Sequence, residues 1–425
     1  MIEVPGKFVE LSEWAQTARP SLLNERRRRS AELPLRYWNQ QAHFTTPASG
    51  TPEKAIKGLV AVPKILKRFG ISPADIAART GIQEGDIESL LNQENKHSPF
   101  VMVDAEDAVA FTEESSIRAR TGAVRCFTEE DWGTTLPFFR PGGLELQSCV
   151  DDLMTVLPHV AEGRAPEDFP IAGIVWPKVE HPAELEWVCE MLNRIERELN
   201  LEANQIKLEF LIESGHALAH LKDLVDVCVH RLVGLIWGIA DYSADTNLPS
   251  IENAHPVCDW ARYEIVNMAG ALNVPAIDNM TLNYPTPVHR GSDLSEAQQA
   301  ENKDKIMGSL DEVYQDAVHG INLGMTGKWV GHPAQLFMVL LAYRNAIPKS
   351  QIEKDLKDID AYTASVEAGA GATMLGDGRE QYMADRATDR HLRARLRRAT
   401  AWGALDGKKA HGLGIISDDE LAQLG

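Results

Sequence analysis

The chain of 425 residues lacks long apolar runs. The best of them, at about 232–240, has half of the ~18 uninterrupted apolar residues that a membrane-spanning helix needs. The opening MIEVPGKFVELSEW has no basic segment followed by an apolar one, so it does not resemble a secretory signal. We therefore expect a soluble cytoplasmic protein without membrane association.

Cysteine is scarce, and its spacing excludes two classes of small stabilised fold. The five cysteines are odd in number and none forms a C-x-x-C pair, so the sequence predicts neither a disulfide framework nor a zinc ribbon. We expect small buried residues at each position. They are Cys126, Cys149, Cys189, Cys228 and Cys258.

Positive charge is also in short supply. The 43 Lys and Arg residues face 62 Asp and Glu residues, which gives a net charge of −19. Nonspecific nucleic-acid binding needs clustered basic side chains, so we expect no nucleic-acid partner. The hydrophobic fraction of 44% excludes wholesale disorder, and the length is compatible with two or three structural units.

Eight short apolar runs recur along the chain, and amphipathic helical patterns separate them. Most are rich in β-branched or aromatic residues and bounded by Pro, Gly or Asp, which is typical of buried parallel strands. Eight strand–helix units predict an α/β fold, a TIM (βα)8 barrel over residues 42–350. The runs are 42–47, 99–104, 136–141, 171–177, 208–213, 232–238, 273–279 and 328–333.

Three further segments are predicted around this barrel. Residues 1–41 form an N-terminal helical arm, whose basic run Arg26–Arg29 we interpret as a solvated surface in preference to an anion site. A helical insertion follows strand one at 58–98, with caps expected at Ser72 and in the stretch Gln83–Asp86. The tail, 351–425, is predicted to be a mostly helical lid whose glycine-rich stretch 368–378 supplies a turn or hinge.

Charged residues follow nearly every predicted strand, where TIM barrels carry their reactive groups. Glu213 and Asp241 end adjacent strands, so their oxygens can share a hard cation, with waters and substrate completing a Mg²⁺ site. The alternative is that each acid caps the loop or helix that follows. No His or Cys cluster favours zinc. The full set comprises Asp104, Glu106, Asp107, Arg140, Lys178, Glu213, Asp241, Asp278 and His332.

Four ordered blocks resemble the citrate lyase β-subunit-like family of the HpcH/HpaI aldolase and malate synthase superfamily, which includes malyl-CoA and citramalyl-CoA lyases. The similarity runs in register over about 42–345, and the opening FTTPASGTPEKAIKG (44–58) shares it. The blocks are VMVDAEDAV (101–109) with Arg118 and Arg120 downstream, FLIESGHAL (210–218), LIWGIADYSAD (235–245) and GMTGKWVGHPAQL (324–336).

The resemblance implies roles for the strand-end residues. Glu213 and Asp241 correspond to the family's two Mg²⁺ carboxylates, with Mn²⁺ as a substitute. Arg140 corresponds to the arginine that binds the α-keto acid or the enolate oxygen, although Pro141 and Gly142 depart from the family's flanking pattern. Glu106 and Asp107 match the acids that orient this arginine and the metal-bound waters.

The resemblance also implies contacts for the CoA thioester. The loop 45–54 resembles the one that meets the CoA phosphates. The tail stretch 379–392 resembles a lid in which Asp385 shuttles the proton at the acyl-CoA α-carbon, commonly from a neighbouring subunit; the alternative is a helix N-cap. The basic helix after Asp385 is interpreted as a solvated face, with CoA contact as the alternative. Candidate substrate or CoA contacts are Thr46, Pro47, Lys54, Lys57, Arg140 and His332.

The function implied is a Mg²⁺-dependent lyase that cleaves a 3-hydroxyacyl-CoA of the malyl-, methylmalyl- or citramalyl-CoA type into an acyl-CoA and glyoxylate or pyruvate. The alternatives are a malate-synthase-like enzyme that also hydrolyses the thioester, a CoA-independent pyruvate-class aldolase, and a silent barrel that binds the same ligands. A homo-oligomer, a trimer or hexamer by resemblance, is expected if Asp385 acts between subunits. Four aromatic residues near the predicted barrel mouth are candidates for shaping the pocket, with core packing as the commoner alternative: Trp176, Trp237, Tyr242 and Trp329.

Overall fold

A computed structural model of the protein describes residues 5–29, 33–107, 109–110, 112–146, 148–376 and 378–424. The side chains of the basic run Arg26–Arg29 lie outside the described residues, so the structure does not test the interpretation of that run as a solvated surface. Among the described residues, no helix has the length and apolar character needed to cross a bilayer. The five cysteines are buried and unpaired, as the sequence predicts.

The eight predicted runs form a closed parallel barrel in chain order, which confirms the TIM-type fold. Each strand pairs with the next, and the last closes on the first. The strands are β1 (Ala42–Pro47), β2 (Phe100–Asp104), β3 (Leu136–Arg140), β4 (Gly173–Trp176), β5 (Lys207–Ile212), β6 (Leu232–Trp237), β7 (Ala276–Asp278) and β8 (Gly327–Val330).

Helices cover the barrel and form the added segments. The α-helices are α1 (Val9–Arg29), α2 (Glu53–Ile56), α3 (Val62–Arg68), α4 (Pro73–Thr80), α5 (Glu84–Asn92), α6 (Glu113–Glu129), α7 (Ser148–Ala161), α8 (Pro182–Glu198), α9 (Gly215–Ala219), α10 (Leu221–Cys228), α11 (Ile239–Asp245), α12 (Pro256–Leu272), α13 (Glu296–Leu323), α14 (Pro333–Ala346), α15 (Lys349–Glu367), α16 (Arg386–Ala401), α17 (Gly407–Gly412) and α18 (Asp418–Gln423). Short 3₁₀ segments occur at Gly6–Phe8, Leu35–Trp38, Gly58–Ala61, Pro166–Asp168 and Gly378–Glu380.

Alternation along the strands decides which side chains fill the barrel and which face the helices. His43 stacks on Phe100 with ring centroids 3.7 Å apart, and Phe100 stacks on Phe138 at 4.6 Å, so three consecutive strands contribute one interior layer. Two residues further along the strands lie Thr45, Met102 and Arg140. This interior layer therefore supports the groups at the carboxyl ends of the strands from below.

The insertion after β1 is helical, as predicted, and consists mainly of α3, α4 and α5. Ser72 caps α4 in a reciprocal capping box with Asp75. Gln83 stands at the N-cap of α5, but its side chain makes no capping hydrogen bond, which corrects the expectation for that residue. Buried Ile76 and Ile87 anchor α4 and α5 to the main core.

The tail forms a second apolar cluster, in which α15 and α16 pack together with buried Ile359 and Leu396. The glycine-rich stretch leads into an antiparallel hairpin of β9 (Thr373–Leu375) and β10 (Tyr382–Ala384), which the sequence reading as helix and hinge missed. Each of these strands has three residues, too few to show a period. Met374 and Met383 pair across this hairpin and are both well exposed.

Candidate active site

A cavity of about 450 Å³ opens at the carboxyl ends of the barrel strands. Its lining combines charged side chains with the apolar side chains of Ile239, Leu282 and Trp329. Such a mixture suits a ligand with an anionic head and an apolar part. The polar residues that line it are Thr45, Asp104, Asp107, Arg140, Glu213, Asp241 and Asn279.

Arg140 is the fixed cation of this cavity. It ends β3 directly opposite Asp104 of β2, and its Nε and Nη2 each donate to a different Asp104 oxygen at 2.6 Å. Nη1 lies 3.3 Å from Glu106 Oε2 and 3.5 Å from Asp107 Oδ2. Although burial lowers it, the pKa of Arg140 is raised overall, chiefly by the charge and hydrogen bonds of Asp104. Arg140 is therefore a permanent positive charge held in one orientation.

The predicted arginine-orienting acids lie beside Arg140, but Asp104 makes the two short bonds. Glu106 is buried, and that burial raises its pKa to about 8 against the opposing charge of Arg140. The backbone amide of Glu106 donates to Asp104 Oδ1 at 2.9 Å, which fixes the turn after β2. Sequence reasoning noted Asp104 only as a strand-end acid, because the strand register is needed to see that it faces Arg140.

Glu213 and Asp241 both line the cavity. Glu213 follows β5 and is buried, whereas Asp241 stands in the first turn of α11 with a side chain 53% exposed. Burial raises the pKa of Glu213 to about 7, and the positive charge of Lys178 opposes that rise. A Cβ at Gly238 would lie 2.8 Å from Glu213 Oε2, so the absence of a side chain there leaves room for this carboxylate.

These two acids fit a Mg²⁺ site in which the protein supplies only two carboxylate ligands. Among the described residues, no group of three or more His, Cys, Asp or Glu side chains has the geometry to hold a metal ion. Mg²⁺ commonly takes only one or two protein carboxylates and keeps waters and substrate oxygens as its other ligands. Hard oxygen donors from Glu213 and Asp241 match that pattern and give zinc no nitrogen or sulfur ligand.

Lys178, just beyond β4, reaches into the same group of acids. Its Nζ lies 3.4 Å from Asp241 Oδ2 and 3.5 Å from Asp107 Oδ1, and its backbone amide donates to Glu213 Oε1 at 2.7 Å. Sequence reasoning placed Lys178 after strand four but gave it no role. The run WPK at the strand end was the available signal.

The residues predicted to contact the substrate or CoA do not all line the cavity. Pro47 lines the cavity, whereas Thr46 is buried beside it and does not. Lys54 and Lys57 are exposed in and just after α2. His332 is the N-cap of α14, where its Nδ1 accepts from the Ala334 amide at 3.2 Å, and it does not line the cavity.

Asp385 caps α16 and does not line the cavity of its own chain. Its Oδ1 accepts from the amides of Ala387 at 2.9 Å and Thr388 at 3.1 Å, and these bonds hold the pKa of Asp385 below its ordinary value. The structure thus gives the side chain the capping contact that the sequence allowed as an alternative.

Several arginines of α16 have acidic partners, which corrects the expectation of a solvated basic face. Arg395 makes two 2.6 Å bonds to Asp355 of α15. Arg397 Nη1 donates to Glu420 Oε2, on α18, at 2.9 Å. These pairs tie α16 into the tail.

Trp329 is the one of the four predicted pocket aromatics that lines the cavity. Its ring lies 5.3 Å from the guanidinium carbon of Arg140, and its indole nitrogen donates to Thr45. Trp176 and Trp237 are fully buried, and they pack on Trp187 and Tyr242 respectively. Trp176 and Trp237 therefore have the core-packing role that the sequence allowed as the alternative, because strand alternation points them away from the barrel interior.

Curated relatives of the chain are lyases. An L-malyl-CoA/β-methylmalyl-CoA lyase of Rhodobacter capsulatus is 25% identical over 292 residues, which cover 64% of this chain and 80% of that enzyme. A lyase of the same name from Haloarcula marismortui is 24% identical over 217 residues, and the match spans 51% of this chain and only 57% of that enzyme. These relatives confirm the predicted superfamily resemblance and the class of carbon–carbon lyase.

Solved structures with the same fold include a citrate lyase from Burkholderia xenovorans LB400, with a TM-score of 0.55, 22% identity and coverage of 77% of this chain and 92% of that one. The protein CitE of Mycobacterium tuberculosis, solved with magnesium, acetoacetate and coenzyme A, has a TM-score of 0.50 and 18% identity over 85% of this chain and 98% of its own. At these identities the likeness shows the fold.

A family model described as "Domain of unknown function (DUF6986)" matches residues 148–424. The match starts at α7 and includes Glu213, Asp241, Trp329 and the tail with Asp385. Because it covers well over half of the chain, the protein belongs to the DUF6986 family.

Proposed function

We propose that the protein is a Mg²⁺-dependent acyl-CoA lyase that breaks or forms the C2–C3 bond of a 3-hydroxyacyl-CoA. The products of cleavage are an acyl-CoA and a 2-oxo acid, glyoxylate or pyruvate. The observation that carries the proposal is one cavity that holds a locked guanidinium, Arg140, and the two hard-oxygen acids Glu213 and Asp241. An α-keto acid presents the complementary groups, a carboxylate and a polarisable carbonyl.

Each charged group of the cavity has a task in this reaction. Arg140 binds the oxygen on which negative charge grows, and its rigid pairing with Asp104 means that little reorganisation is needed. Glu213 and Asp241 hold Mg²⁺, which when bound supplies Lewis-acid polarisation of the keto group. Trp329 and Leu282 keep water from the apolar part of the ligand.

The proton balance assigns a role to the tail. In cleavage, the Asp385 carboxylate accepts the hydroxyl proton as the carbonyl forms, the C2–C3 bond breaks, and its electron pair passes to the thioester enolate. The carboxylic acid so formed at Asp385 then returns the proton to C2, and in condensation the carboxylate removes the C2 proton and delivers it to the new hydroxyl oxygen. Because Asp385 does not line the cavity of its own chain, we propose that a neighbouring copy delivers it in a homo-oligomer.

The CoA moiety is proposed to lie across the loop after β1. Pro47 lines the cavity and the exposed Lys54 and Lys57 follow it along the same segment, so their ammonium groups are available to phosphates. Binding energy from these remote phosphates helps to close the site around the reacting carbons.

The test is product analysis in the condensation direction. Purified protein is incubated with acetyl-CoA or propionyl-CoA and glyoxylate or pyruvate, with Mg²⁺ or with EDTA, and CoA species are followed by liquid chromatography and mass spectrometry. We expect a 3-hydroxyacyl-CoA that forms only with Mg²⁺. Free CoA released in step with condensation identifies the malate-synthase-like alternative. Turnover of a free hydroxy-keto acid without CoA identifies the aldolase.

A matched pair of variants connects this result to the site. Glu213→Ala is expected to abolish Mn²⁺ binding and condensation, whereas Glu264→Ala, on an exposed position of α12, retains both. Unchanged metal binding and turnover in Glu213→Ala would contradict the site assignment.

A further inference from the structure

Lys178 has an uncommon backbone conformation for its residue type. Its φ is 49°, in the left-handed region that L-residues with long side chains rarely adopt. The other non-glycine residues with positive φ in the described part of the chain are all asparagines, which tolerate this region well. A lysine held there between the buried Trp176 and Val179 indicates that its placement matters for function.

That conformation lets a single residue contact both proposed Mg²⁺ ligands. The amide of Lys178 donates to Glu213 Oε1 at 2.7 Å, while its Nζ lies 3.4 Å from Asp241 Oδ2. The same Nζ lies 3.5 Å from Asp107 Oδ1 and 3.7 Å from Glu106 Oε1. Lys178 therefore stands between the metal pair and the acids beside Arg140.

The two cations that contact these acids, Arg140 and Lys178, differ in how firmly their side chains are held. Arg140 is fully buried and held by two short bonds to Asp104. The Lys178 side chain is 30% exposed, and none of its Nζ contacts to carboxylates is shorter than 3.4 Å. A compact ammonium on a flexible stem can move between neighbouring acids, whereas a clamped guanidinium cannot.

Acidic side chains outnumber these cations. Among the described residues that make these contacts, two basic side chains lie beside five acidic ones, and the basic side chain that contacts Asp241 is Lys178. An ammonium near Asp241 and a divalent cation that Glu213 and Asp241 would hold would repel each other and compete for the Asp241 oxygens. The acidic residues are Asp104, Glu106, Asp107, Glu213 and Asp241.

We propose that Lys178 is a positioning residue that sets the affinity of the site for its divalent cation. Its ammonium is the counter-charge of Asp241 when the metal is absent, and it moves to Glu106 and Asp107 when the metal binds. Its amide keeps Glu213 in place in both states. The inference rests on the metal site of the proposed function and does not depend on the substrate.

The decisive measurement is Mn²⁺ affinity, followed by the electron paramagnetic resonance signal of the free ion and by calorimetry. In Lys178→Met, which keeps length and removes charge, we expect the Kd for Mn²⁺ to fall at least about tenfold, equivalent to about 1.4 kcal/mol. Lys178→Arg keeps the charge and should bind Mn²⁺ as weakly as the wild type. Lys64→Met, on an exposed position of α3, serves as the matched control and should leave the Kd unchanged.

Thermal unfolding provides a second readout. Metal-free Lys178→Met should have a lower Tm than the wild type, because the acids lose a counter-charge, and Mn²⁺ should raise its Tm more than it raises that of the wild type. Lys178→Gly also lacks the ammonium and adopts the left-handed backbone without strain, so it tests the same point if the methionine variant fails to fold.

The outcomes separate this inference from the proposed function. If the wild type binds Mn²⁺ and the uncharged variants bind it equally or more weakly, the ammonium does not compete and the inference is wrong while the metal site stands. If neither the wild type nor the uncharged variants bind Mn²⁺, both the inference and the metal site are wrong. Tighter binding in Lys178→Met, or in Lys178→Gly if the methionine variant does not fold, supports the inference.

Discussion

Arg140 and Asp104 form a bidentate ion pair across neighbouring strands of the barrel, with both N···O distances at 2.6 Å. The two residues are direct partners in the β2–β3 register, so the backbone itself sets their separation. This pairing uses Nε and Nη2 of the guanidinium. Among the described residues Nη1 has no hydrogen-bond partner, and its acidic neighbours are Glu106 at 3.3 Å and Asp107 at 3.5 Å.

Asp104→Asn should disturb both ligand binding and stability. The amide keeps the size of the carboxylate but removes its charge and one acceptor, so Arg140 loses its orientation and its counter-charge. We expect the KM for the 2-oxo acid to rise at least tenfold, and the free energy of unfolding to fall by about 3 kcal/mol, as for other broken buried ion pairs. Steady-state kinetics and urea unfolding measure the two effects. Asp360→Asn, on the exposed side of α15, should change neither, and an unaltered KM in Asp104→Asn would contradict the orienting role.

The pairing of Asp104, and not Glu106 or Asp107, with Arg140 could not be predicted from the sequence. Charges at strand ends and a family resemblance were enough to single out Arg140, Glu213 and Asp241, because a TIM barrel gathers strand ends at one face. Which acid of the run 104–107 pairs with Arg140 depends on the register of β2 and β3 and on the turn that follows. Local sequence carries no information on that register.

The roles of Lys178 and the aromatic residues depend on backbone direction. A left-handed φ at Lys178 follows from its surroundings, and a lysine gives no hint of it in sequence. The outward orientation of Trp237 likewise follows from the strand register, which the sequence does not give. In the β5–β6 register Trp237 pairs with Ile212, the residue before Glu213, so the two side chains point away from the cavity.

A buried ion pair far from the cavity should dominate the stability of the barrel. Arg231 and Glu196 are both buried, and Arg231 makes bonds of 2.7 and 2.6 Å to the two oxygens of Glu196. Glu196→Gln leaves a buried guanidinium without its counter-charge, so we expect a loss of about 3–5 kcal/mol in unfolding free energy. Glu198→Gln, two residues further along α8 and exposed, is the matched control. A loss below 1 kcal/mol, measured by urea unfolding, would show that the pair contributes little.

Asp385→Asn should abolish turnover while the fold is retained. Asparagine caps a helix as well as aspartate does, so α16 should stay intact, but an amide cannot carry the proton. Asp406→Asn, which alters the N-cap of α17 in the same way, should leave activity unchanged.

Mixing two inactive variants tests whether Asp385 acts on a neighbouring copy. Oligomers formed from Asp385→Asn and Glu213→Ala chains contain sites with an intact metal pair and an intact lid acid from different subunits. We expect measurable activity after mixed refolding and none in either variant alone. Continued inactivity of verified mixed oligomers would contradict delivery from a neighbouring copy.

Ionisation of Glu209, which lies inside the barrel, should make the free energy of unfolding depend on pH. It is fully buried, its carboxylate lies 3.8 Å from His43 Nδ1, and a Cβ at Gly234 would come within 2.5 Å of its Oε1. Burial raises the pKa of Glu209 from 4.5 to about 8, and burial also holds the pKa of His43 well below its ordinary value, so His43 offers no positive charge. The folded state therefore binds a proton that the unfolded chain releases above about pH 4.5.

The sign of this linkage fixes the experiment. Because the folded pKa of Glu209 is the higher one, its contribution to stability is complete below the unfolded value of 4.5 and is lost as pH rises to about 8, at roughly 1.4 kcal/mol per pH unit. Glu209→Gln stays neutral in both the folded and the unfolded state. Its free energy of unfolding should therefore decline less steeply between pH 5 and 8 than that of the wild type, and the difference in slope should equal the contribution of one proton. Burial also raises the pKa of Glu106 and Glu213, so part of the slope should remain in the variant. Urea unfolding at several pH values measures this difference, with the exposed Glu264→Gln as control. Equal slopes for Glu209→Gln and the wild type would show that Glu209 is ionised in the folded barrel at neutral pH.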